Sequence, residues 1–335
     1  NWQLAYQTRS IENDYALFKN NVNNPITPRT FKGEAFAPVI PSFQYAYNKG
    51  KWSLQASFAL TGGGGKCTFD NGLGSFEKIV AETAMAACQL AGAVDQVAAQ
   101  YRVPAVFTNN DKFGKEGKYS YNSYMHGRQY YYGLSVGAAY KFSDNFSAFA
   151  GVRGVYASTN YYGYVEDIKV GNMPLYKVLD PTKETAANIE LSCDQSGVGF
   201  TPIIGVDFKT GKWNFAAKYE FKTRIRLKNK SVNQAPSIGN LPDNLRNAYI
   251  TGGVPEQAAD AILKNATIQR AMGQLKTQFD TELEEAIGEY EDGKKIAGDI
   301  PAYLALGVGY SPVDAVRVNV GFHWFDDKHA TSYNN

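Results

Sequence analysis

The chain has 335 residues, a formal net charge of +2 at pH 7 and only three cysteines. It has no basic cluster interleaved with aromatic residues, so we exclude nucleic acid as a partner. No apolar run reaches the roughly 18 residues that a membrane helix requires, so strands would have to make any membrane crossing. The 23 tyrosines, 19 phenylalanines and 32 glycines suit a protein with aromatic rings at an interface and close contacts between strands.

Alternation of apolar and polar residues predicts nine strands along the chain. In chain order they are Trp2–Ser10, Pro38–Tyr47, Trp52–Thr61, Gln129–Phe142, Phe146–Tyr162, Gly197–Phe208, Trp213–Leu227, Ala302–Tyr310 and Ala315–Phe325. The alternation is strongest at 213–227, where Ile225 and Leu227 continue an apolar row while Arg224 and Arg226 continue a row of ionised side chains. Such a strand needs lipid on one side and water on the other. The predicted fold class is therefore all-β, a transmembrane antiparallel β-barrel.

The connections between these strands alternate between short and long. Four are tight turns, at Asn48–Lys51, Ser143–Asn145, Lys209–Lys212 and Ser311–Asp314, and the four long ones cover about 11–37, 62–128, 163–196 and 228–301. Outer-membrane barrels of bacteria have this asymmetry, with short periplasmic turns and long external loops. An odd number of strands cannot close such a barrel, so we expect a single partial barrel over 1–335 that is truncated at both ends.

Two long loops show helical periodicity, which predicts helical external insertions at about 64–127 and 228–300. In the second insertion the apolar positions recur every three or four residues and include Met272, Leu275, Phe279 and Leu283. Two interpretations remain open at this point. The helices could cap each other, or they could form an apolar groove that collects a ligand outside the membrane.

Four segments carry a resemblance to a known family. They are Phe58–Lys66, Leu134–Tyr156, Gly197–Lys209 and Asp299–Tyr310. On their order and spacing the chain resembles the outer-membrane long-chain fatty acid and aromatic hydrocarbon transporters (FadL/TodX), in a form found in Bacteroidetes. The resemblance implies about fourteen strands in the whole barrel, a plug in its lumen, and a kinked third strand that opens the wall sideways. That kink would fall at Gly62, Gly63, Gly64 and Gly65, although four glycines also suit the start of a flexible loop.

A fatty acid needs an apolar slot with a cation near its carboxylate, because an unpaired buried charge is costly. Strand parity directs several candidate substrate-binding residues into the lumen. They are Arg153, Phe149, Tyr131, Ile203, Tyr303, Arg224 and Arg317. The structural alternative is that the cations pair with carboxylates such as Glu220 or Asp207.

Other kinds of site find little support. The Gly65-Lys66-Cys67 sequence lacks the first glycine and the hydroxyl residue of a phosphate loop, and three scattered histidines predict no metal site and no cofactor. No nucleophile with a base, and no pair of acids, occupies identifiable catalytic positions, so we expect no enzyme. Cys67 and Cys88 are candidates for a disulfide, because both fall near external loops.

These observations predict passive uptake of a hydrophobic small molecule across the bacterial outer membrane, with a long-chain fatty acid as the expected substrate. External helices would capture the substrate, lumen residues would bind it, and an opening near the third strand would release it into membrane lipid. The alternative is an accessory or receptor barrel that binds a protein or captures haem. The sequence names no protein partner.

Overall fold

The computed structural model describes residues 2–108, 112–236, 238–313 and 315–332. Twelve strands are present in this part of the chain. They are β1 Trp2–Asn13, β2 Arg29–Lys49, β3 Trp52–Phe69, β4 Tyr119–Lys141, β5 Phe146–Val170, β6 Met173–Pro174, β7 Ile189–Thr210, β8 Trp213–Glu220, β9 Arg226–Ser231, β10 Lys295–Ala297, β11 Tyr303–Val313 and β12 Val316–Phe325. They form one sheet with the order β1-β2-β3-β4-β5-β7-β8-β11-β12. Outside this order, β6 pairs with β5, β9 pairs with β7, and β10 pairs with β9.

Every pairing between neighbouring strands is antiparallel, which confirms the predicted fold class. Because the strands follow each other in sequence, the short connections all lie at one end of the sheet, which we call the turn end. Gly50 and Gly211 occupy two of these turns with φ of 60° and 53°, a conformation that glycine adopts without steric cost. The opposite end carries the helices, and we call it the helix end.

The two faces of the sheet differ in chemistry, as the alternation predicts. One face, here the outer face, exposes a continuous apolar surface. Its members include Phe43, Leu54, Leu134, Val198, Phe200, Ile204, Phe215, Val318, Val320 and Phe322. Val198 and Phe200 are 64% and 69% exposed, far more than side chains in a protein core. The inner face carries the ion pairs and small residues described below, and we call the space that it encloses the lumen.

Several strands extend further towards the helix end than the sequence predicts. β4 begins at Tyr119 rather than Gln129, and β5 continues to Val170 rather than Tyr162. The apolar and polar residues no longer alternate cleanly in these extensions, so the pattern that reveals the strands is lost. The backbone ladder nevertheless continues, and it holds the helices above the lumen.

The prediction of one continuous strand at 213–227 is wrong. β8 ends at Glu220, the chain leaves the β7 ladder, and β9 then rejoins β7 further along. Ile203 pairs with Glu220 and Ser196 pairs with Lys228, so the departing segment has one more residue than the stretch of β7 beside it. One extra residue reverses the direction of every later side chain.

Five helices cover the helix end. They are α1 Gly74–Gln100, α2 Tyr176–Leu179, α3 Leu241–Thr251, α4 Glu256–Leu263 and α5 Ala266–Ile287. Within the described ranges, no helix combines the length and the apolar character needed to cross a membrane. α1 packs against α5 and also contacts β4 and β5. The helices therefore share one apolar core with the helix-end parts of the strands.

Two buried carboxylates hold α1 in place. Glu77 is fully buried and accepts hydrogen bonds from Asn21 Nδ2 at 2.8 Å and Tyr119 Oη at 3.1 Å, and it forms an ion pair with Arg29. Asp95, near the end of the helix, accepts hydrogen bonds from three successive backbone N–H groups at 106–108, at 2.7 to 3.2 Å. The first network ties α1 to the strands, and the second fixes the loop that follows the helix.

Candidate lumen cavities and wall seam

A cavity of about 690 Å³ lies on the inner face near the turn end, and we call it the turn-end cavity. Three residues that the sequence predicts to bind substrate line this cavity together: Phe149, Arg153 and Ile203. Small residues on β3, β4, β8 and β11 line much of the rest, and the charged or polar members include Asp207, Lys218, Glu220, Asn319 and His323. The structure thus brings part of the predicted site together.

Arg153 is held by a carboxylate across the turn-end cavity. Its two terminal nitrogens lie 2.8 and 3.0 Å from the two oxygens of Glu220, and its Nε donates to Ser135 Oγ at 3.1 Å. Lys218 Nζ lies 2.9 Å from the same carboxylate. This bidentate geometry is the strongest form of a charge-assisted hydrogen bond, so Arg153 is engaged by protein rather than free for a ligand. The pairing with Glu220 is the structural alternative raised by the sequence.

The other predicted substrate residues are not gathered at one place. Tyr303 lies beside the turn-end cavity, where its hydroxyl is 3.2 Å from His323 Nδ1, and Arg317 is exposed further towards the turn end. Tyr131 belongs to an apolar cluster in mid-lumen. Arg224 is exposed and lines neither cavity, while its neighbour Ile225 is fully buried against the inner face. The predicted role of Arg224 in substrate binding stays a prediction.

A second cavity, of about 440 Å³, lies on the inner face towards the helix end, and we call it the helix-end cavity. Its lining is mixed. It includes Ala5, Gln7, Arg9, Ala35, Phe36, Ala37, Ile40, Gly63, Gly64, Gly65, Cys67, Phe69, Met125, Gly127, Gln129 and Tyr161. Arg9 is its only described cation, and no ion pair to it is found among the described residues. The sequence could have suggested Arg9, since it shares the polar face of the first predicted strand with Gln7.

The wall beside the helix-end cavity lacks part of its ladder. β2 and β3 pair up to Phe36 and Lys66, and again from Ser42 and Ala59, but no pair joins 37–41 to 60–65. We call this interruption the open seam. Pro38 and Pro41 lie within it on β2 and have no N–H to donate, which removes bonds from the ladder.

The four glycines predicted to form a kink lie on the β3 side of the open seam. They are Gly62, Gly63, Gly64 and Gly65, and the pairing of β3 with β4 shifts register twice among them. Gly63 and Gly64 have φ of 71° and 130°, which side chains rarely allow. A Cβ on Gly63 would lie 2.2 Å from the carbonyl oxygen of Gln129. The backbone geometry therefore requires glycine at this position.

The predicted external groove is closed in this structure. Met272, Leu275 and Phe279 are buried, and Leu283 packs at the edge of the same core. An apolar cavity remains between α1, α5 and the neighbouring loops, but its volume is only about 40 Å³. That space suits a few water molecules at most and not an acyl chain. The helices therefore cap each other here, as the simpler interpretation of their periodicity holds.

Charged side chains at the edge of the α1–α5 contact are packed closely. Glu282 on α5 is mostly buried, and its burial, together with a hydrogen bond to Glu82 on α1, raises its pKa above the ordinary value. Lys78 Nζ lies 3.4 Å from Glu282 and 3.8 Å from Glu82. Tyr15 donates a hydrogen bond to Glu82. Glu82 and Glu282 thus share the ammonium group of Lys78.

The predicted disulfide is absent. Cys67, Cys88 and Cys193 are all free. Cys67 lies on β3 in the wall of the helix-end cavity, whereas Cys88 is buried within α1, where its thiol donates to the carbonyl of Phe113 at 3.4 Å. Proximity to the same loops in sequence does not bring the two thiols together in the fold.

Comparison with known proteins gives structural neighbours only. No family model matches the chain, and no curated protein matches it. Solved structures that match include the toluene transporter TbuX of Ralstonia pickettii, with a TM-score of 0.38 and 13% identity over 88% of this chain and 54% of that chain. A FadL homologue of Pseudomonas aeruginosa matches with a TM-score of 0.42 and 13% identity, over 97% of this chain and 58% of that chain. The toluene transporter TodX of P. putida matches with a TM-score of 0.40 and 11% identity, over 93% of this chain and 57% of that chain. The chain therefore spans little more than half the length of each.

Proposed function

We propose that this protein is a passive transporter of hydrophobic small molecules in the bacterial outer membrane, and that its substrates are long-chain fatty acids. In this proposal the substrate enters from the helix end, occupies the helix-end cavity and leaves through the open seam into the bilayer. No covalent chemistry is involved. The concentration gradient drives the movement, and burial of the acyl chain contributes about 0.8 kcal/mol per methylene group.

The outer face supports the location in a membrane. Exposed apolar patches on soluble monomers rarely exceed a few hundred Å², because a larger one costs free energy in water. Here apolar side chains follow strand after strand from β1 to β12, and lipid removes that cost. Rings near the turns, such as the Trp52–Tyr140 and Trp213–Tyr310 pairs, suit the boundary between lipid and water. The helix end then faces the outside of the cell.

The open seam is the observation that carries the transport proposal. A cavity of small-molecule size, within the usual range of roughly 300–1,000 Å³, lies directly behind an unpaired stretch of wall. Ile40 on β2 lines this cavity and lies across the seam from Gly64, where a Cβ would be 3.8 Å from its Cδ1. Because no ladder pair joins the two strands here, a side chain such as Ile40 can move aside without breaking a ladder hydrogen bond.

Arg9 is the better candidate than Arg153 for the substrate carboxylate. Arg153 already has a bidentate carboxylate partner, and replacing that partner with a ligand would leave Glu220 to Lys218 alone. Arg9 lies in the helix-end cavity with apolar neighbours such as Phe36. An acyl chain in this cavity would therefore have its carboxylate within reach of a cation. Capture by the external helices requires α1 and α5 to separate, since the space between them is too small.

The ion cluster in the turn-end cavity favours a second candidate function. An accessory or receptor barrel needs no continuous apolar path, and the cluster of Arg153, Glu220 and Lys218 places charge on the inner wall over β5, β7 and β8. Such a barrel would bind its partner through the helix end. Measurement of uptake separates the two functions, because only the transporter carries a hydrophobic substrate across the membrane.

The test blocks the seam chemically. In a Cys67→Ser background, we would introduce Ile40→Cys at the seam, or Gln55→Cys in the turn-end cavity as the matched control. A bulky methanethiosulfonate reagent then modifies the new thiol, and dithiothreitol removes it. We expect uptake of a labelled long-chain fatty acid to fall sharply after modification at position 40, to recover after reduction, and to stay unchanged for position 55.

Two results would contradict the proposal. If the modified Gln55→Cys protein lost uptake while the modified Ile40→Cys protein kept it, the substrate would leave through the turn end and not through the seam. If the unmodified protein showed no uptake above cells that lack it, the transport function itself would be excluded, and the accessory barrel would be preferred.

A further inference from the structure

A second seam interrupts the wall between β7 and the β8–β9 segment, but here the chain covers it from inside. No pair joins 197–202 of β7 to 221–227. Pro202 accepts a hydrogen bond from Phe221 N at 3.0 Å, yet it has no N–H to return the bond, so the ladder ends there. We call this stretch the covered seam.

Two glycines make room for the covering segment. A Cβ on Gly197 would lie 2.6 Å from the carbonyl oxygen of Arg226, and a Cβ on Gly199 would lie 2.7 Å from both Ile225 and Thr223. Both glycines belong to the inner face of β7, since the alternate residues Val198 and Phe200 are exposed on the outer face. Residues 223–226 therefore lie inside the lumen, directly over β7.

One buried carboxylate fixes the inward segment. The side chain of Asp299 is 1% exposed, and it accepts a hydrogen bond from Ile225 N at 3.1 Å. Its two oxygens also form ion pairs with Lys222 Nζ at 2.9 Å and Arg226 Nη1 at 3.0 Å. Thr223 and Ile300 add a backbone bridge beside it. These contacts hold the segment at both ends of its excursion.

The inward segment builds an apolar layer over the inner face of β4 and β5. Ile225, Leu227 and Ile296 pack against Val155 and Ala157 of β5, and all five are at most 3% exposed. Tyr131 of β4 extends the layer towards β3. Its ring lies 3.5 Å from the Cβ position of Gly62, and its hydroxyl lies 3.4 Å from that of Gly298.

The apolar layer lies between the two cavities along β4 and β5, and on β3, the third strand that they share, the ring of Tyr131 packs over Gly62 at the same level. On β4 the helix-end cavity uses residues 125–129, the layer uses Tyr131, and the turn-end cavity uses Ser135 and Ala139. On β5 the same order runs from Tyr161 through the layer to Arg153. An apolar constriction excludes water and ions, because neither can keep its hydration there.

We propose that the apolar layer is a permeability barrier, built from the wall itself, that isolates the helix-end cavity from the turn-end cavity. Water and ions are stopped at the layer. A hydrophobic ligand in the helix-end cavity is left with the open seam as its exit. The barrier does not depend on which ligand is carried, and it rests on the proposed function only for the direction of release.

The experiment measures ion conductance of the full-length protein in planar lipid bilayers. Ile225→Ser places a hydroxyl in the apolar layer, and we expect the conductance to rise by about tenfold or more as the constriction admits water. Ile225→Val is the matched control, because it keeps the site apolar and should leave conductance at its original value. Heat-dependent migration in gel electrophoresis verifies that each variant is folded.

A second variant guards against a folding defect in the first. Asp299→Asn keeps the volume of the anchoring side chain and removes its charge, so the inward segment loosens while the layer keeps its composition. We expect a smaller rise in conductance than for Ile225→Ser. Equal conductance in the unmodified protein and in both folded variants, or a large open conductance in the unmodified protein, would overturn the barrier.

Fatty acid uptake by the same variants separates this inference from the proposed function. If release is lateral, Ile225→Ser raises conductance and leaves uptake unchanged. If the unmodified protein carries no fatty acid at all but the conductance of Ile225→Ser rises, the barrier stands and the transport function fails. If uptake falls together with the rise in conductance, the ligand crosses the layer, and the proposed isolation of the two cavities is wrong.

Discussion

The open seam and the covered seam are alike in length and differ in how glycine is placed. Each interrupts the ladder for about six residues next to proline. In the open seam four glycines are consecutive, so the backbone bulges and a cavity lies behind it. In the covered seam Gly197 and Gly199 alternate, so only the inner face is cleared and a second segment packs over it. Consecutive glycines open a wall, and alternate glycines let it be covered.

The largest effect should come from Gly63 in the open seam. Gly63→Ala places a Cβ 2.2 Å from the carbonyl oxygen of Gln129 at a φ of 71°. Backbone atoms cannot move aside as a flexible side chain can, so we expect a loss of about 3 kcal/mol or more in the free energy of unfolding.

Gly62→Ala is the control for that substitution. Its Cβ would meet the ring of Tyr131 at 3.5 Å, which is ordinary contact, so the cost should stay within about 0.5 kcal/mol. Guanidinium unfolding of both variants in detergent measures the difference. Similar stabilities would mean that the open seam does not depend on its backbone geometry.

An intermediate effect is expected at Gly199 in the covered seam. Gly199→Ala brings a Cβ to 2.7 Å from the side chains of Ile225 and Thr223 and to 2.8 Å from the carbonyl oxygen of Arg224. The two side chains can shift part of the distance and the φ is not positive as it is at Gly63, so we expect a cost of about 2 kcal/mol. Gly205→Ala, on the same strand where β7 and β8 remain paired, has its nearest contact at 3.4 Å and should cost under about 0.5 kcal/mol. The same unfolding measurement applies. Equal costs at both positions would show that residues 223–226 do not lie against β7.

The smallest effect concerns the helices above the open seam. Because the pKa of Glu282 is raised in the folded protein, its protonated form is favoured there, and the α1–α5 contact should weaken as pH rises through that raised value. Hydrogen exchange of α5 amides, corrected for intrinsic rates, should then show less protection at pH 7 than near pH 5. Glu282→Gln should remove most of this dependence, whereas Lys276→Gln, on the exposed side of α5, should retain it. A pH dependence that survives in Glu282→Gln would assign the effect to another group.

The general architecture follows from local sequence. Eight of the nine predicted strands each lie on one strand of the sheet, and the predicted turns at 48–51, 143–145 and 209–212 fall where strands meet, because alternation and turn residues are properties of neighbouring positions. The predicted turn at Ser311–Asp314 differs, since 311–313 belong to β11 and Asp314 lies outside the described residues. The consecutive glycines Gly63 and Gly64 likewise predict an irregular backbone within the third strand. The residues of the turn-end cavity could be predicted in part, since Phe149, Arg153 and Ile203 share one face by parity.

The break after Glu220 could not be predicted from alternation. Thr223 interrupts the apolar row between Phe221 and Ile225, but the charged row continues and the parity on both sides is the same, so only the packing against β7 shows that one residue is extra. The signal for it lies elsewhere in the chain, in Pro202 and the alternate glycines of β7. The sequence names Glu220 as a candidate partner for the lumen cations, but that Arg153 is the partner depends on the register of β5 and β8 against β7, which a single sequence does not contain.

The three amide hydrogen bonds to Asp95 have a consequence for how the protein can vary during evolution. The same carboxylate also accepts the Thr108 hydroxyl at 2.8 Å, and Phe107 is buried in the apolar core, so both the path of this loop and two of its side chains are fixed. Surface loops are where homologous proteins differ most. We therefore expect this loop to be an exception, with Phe107, Thr108 and the aspartate in α1 retained among descendants of this gene.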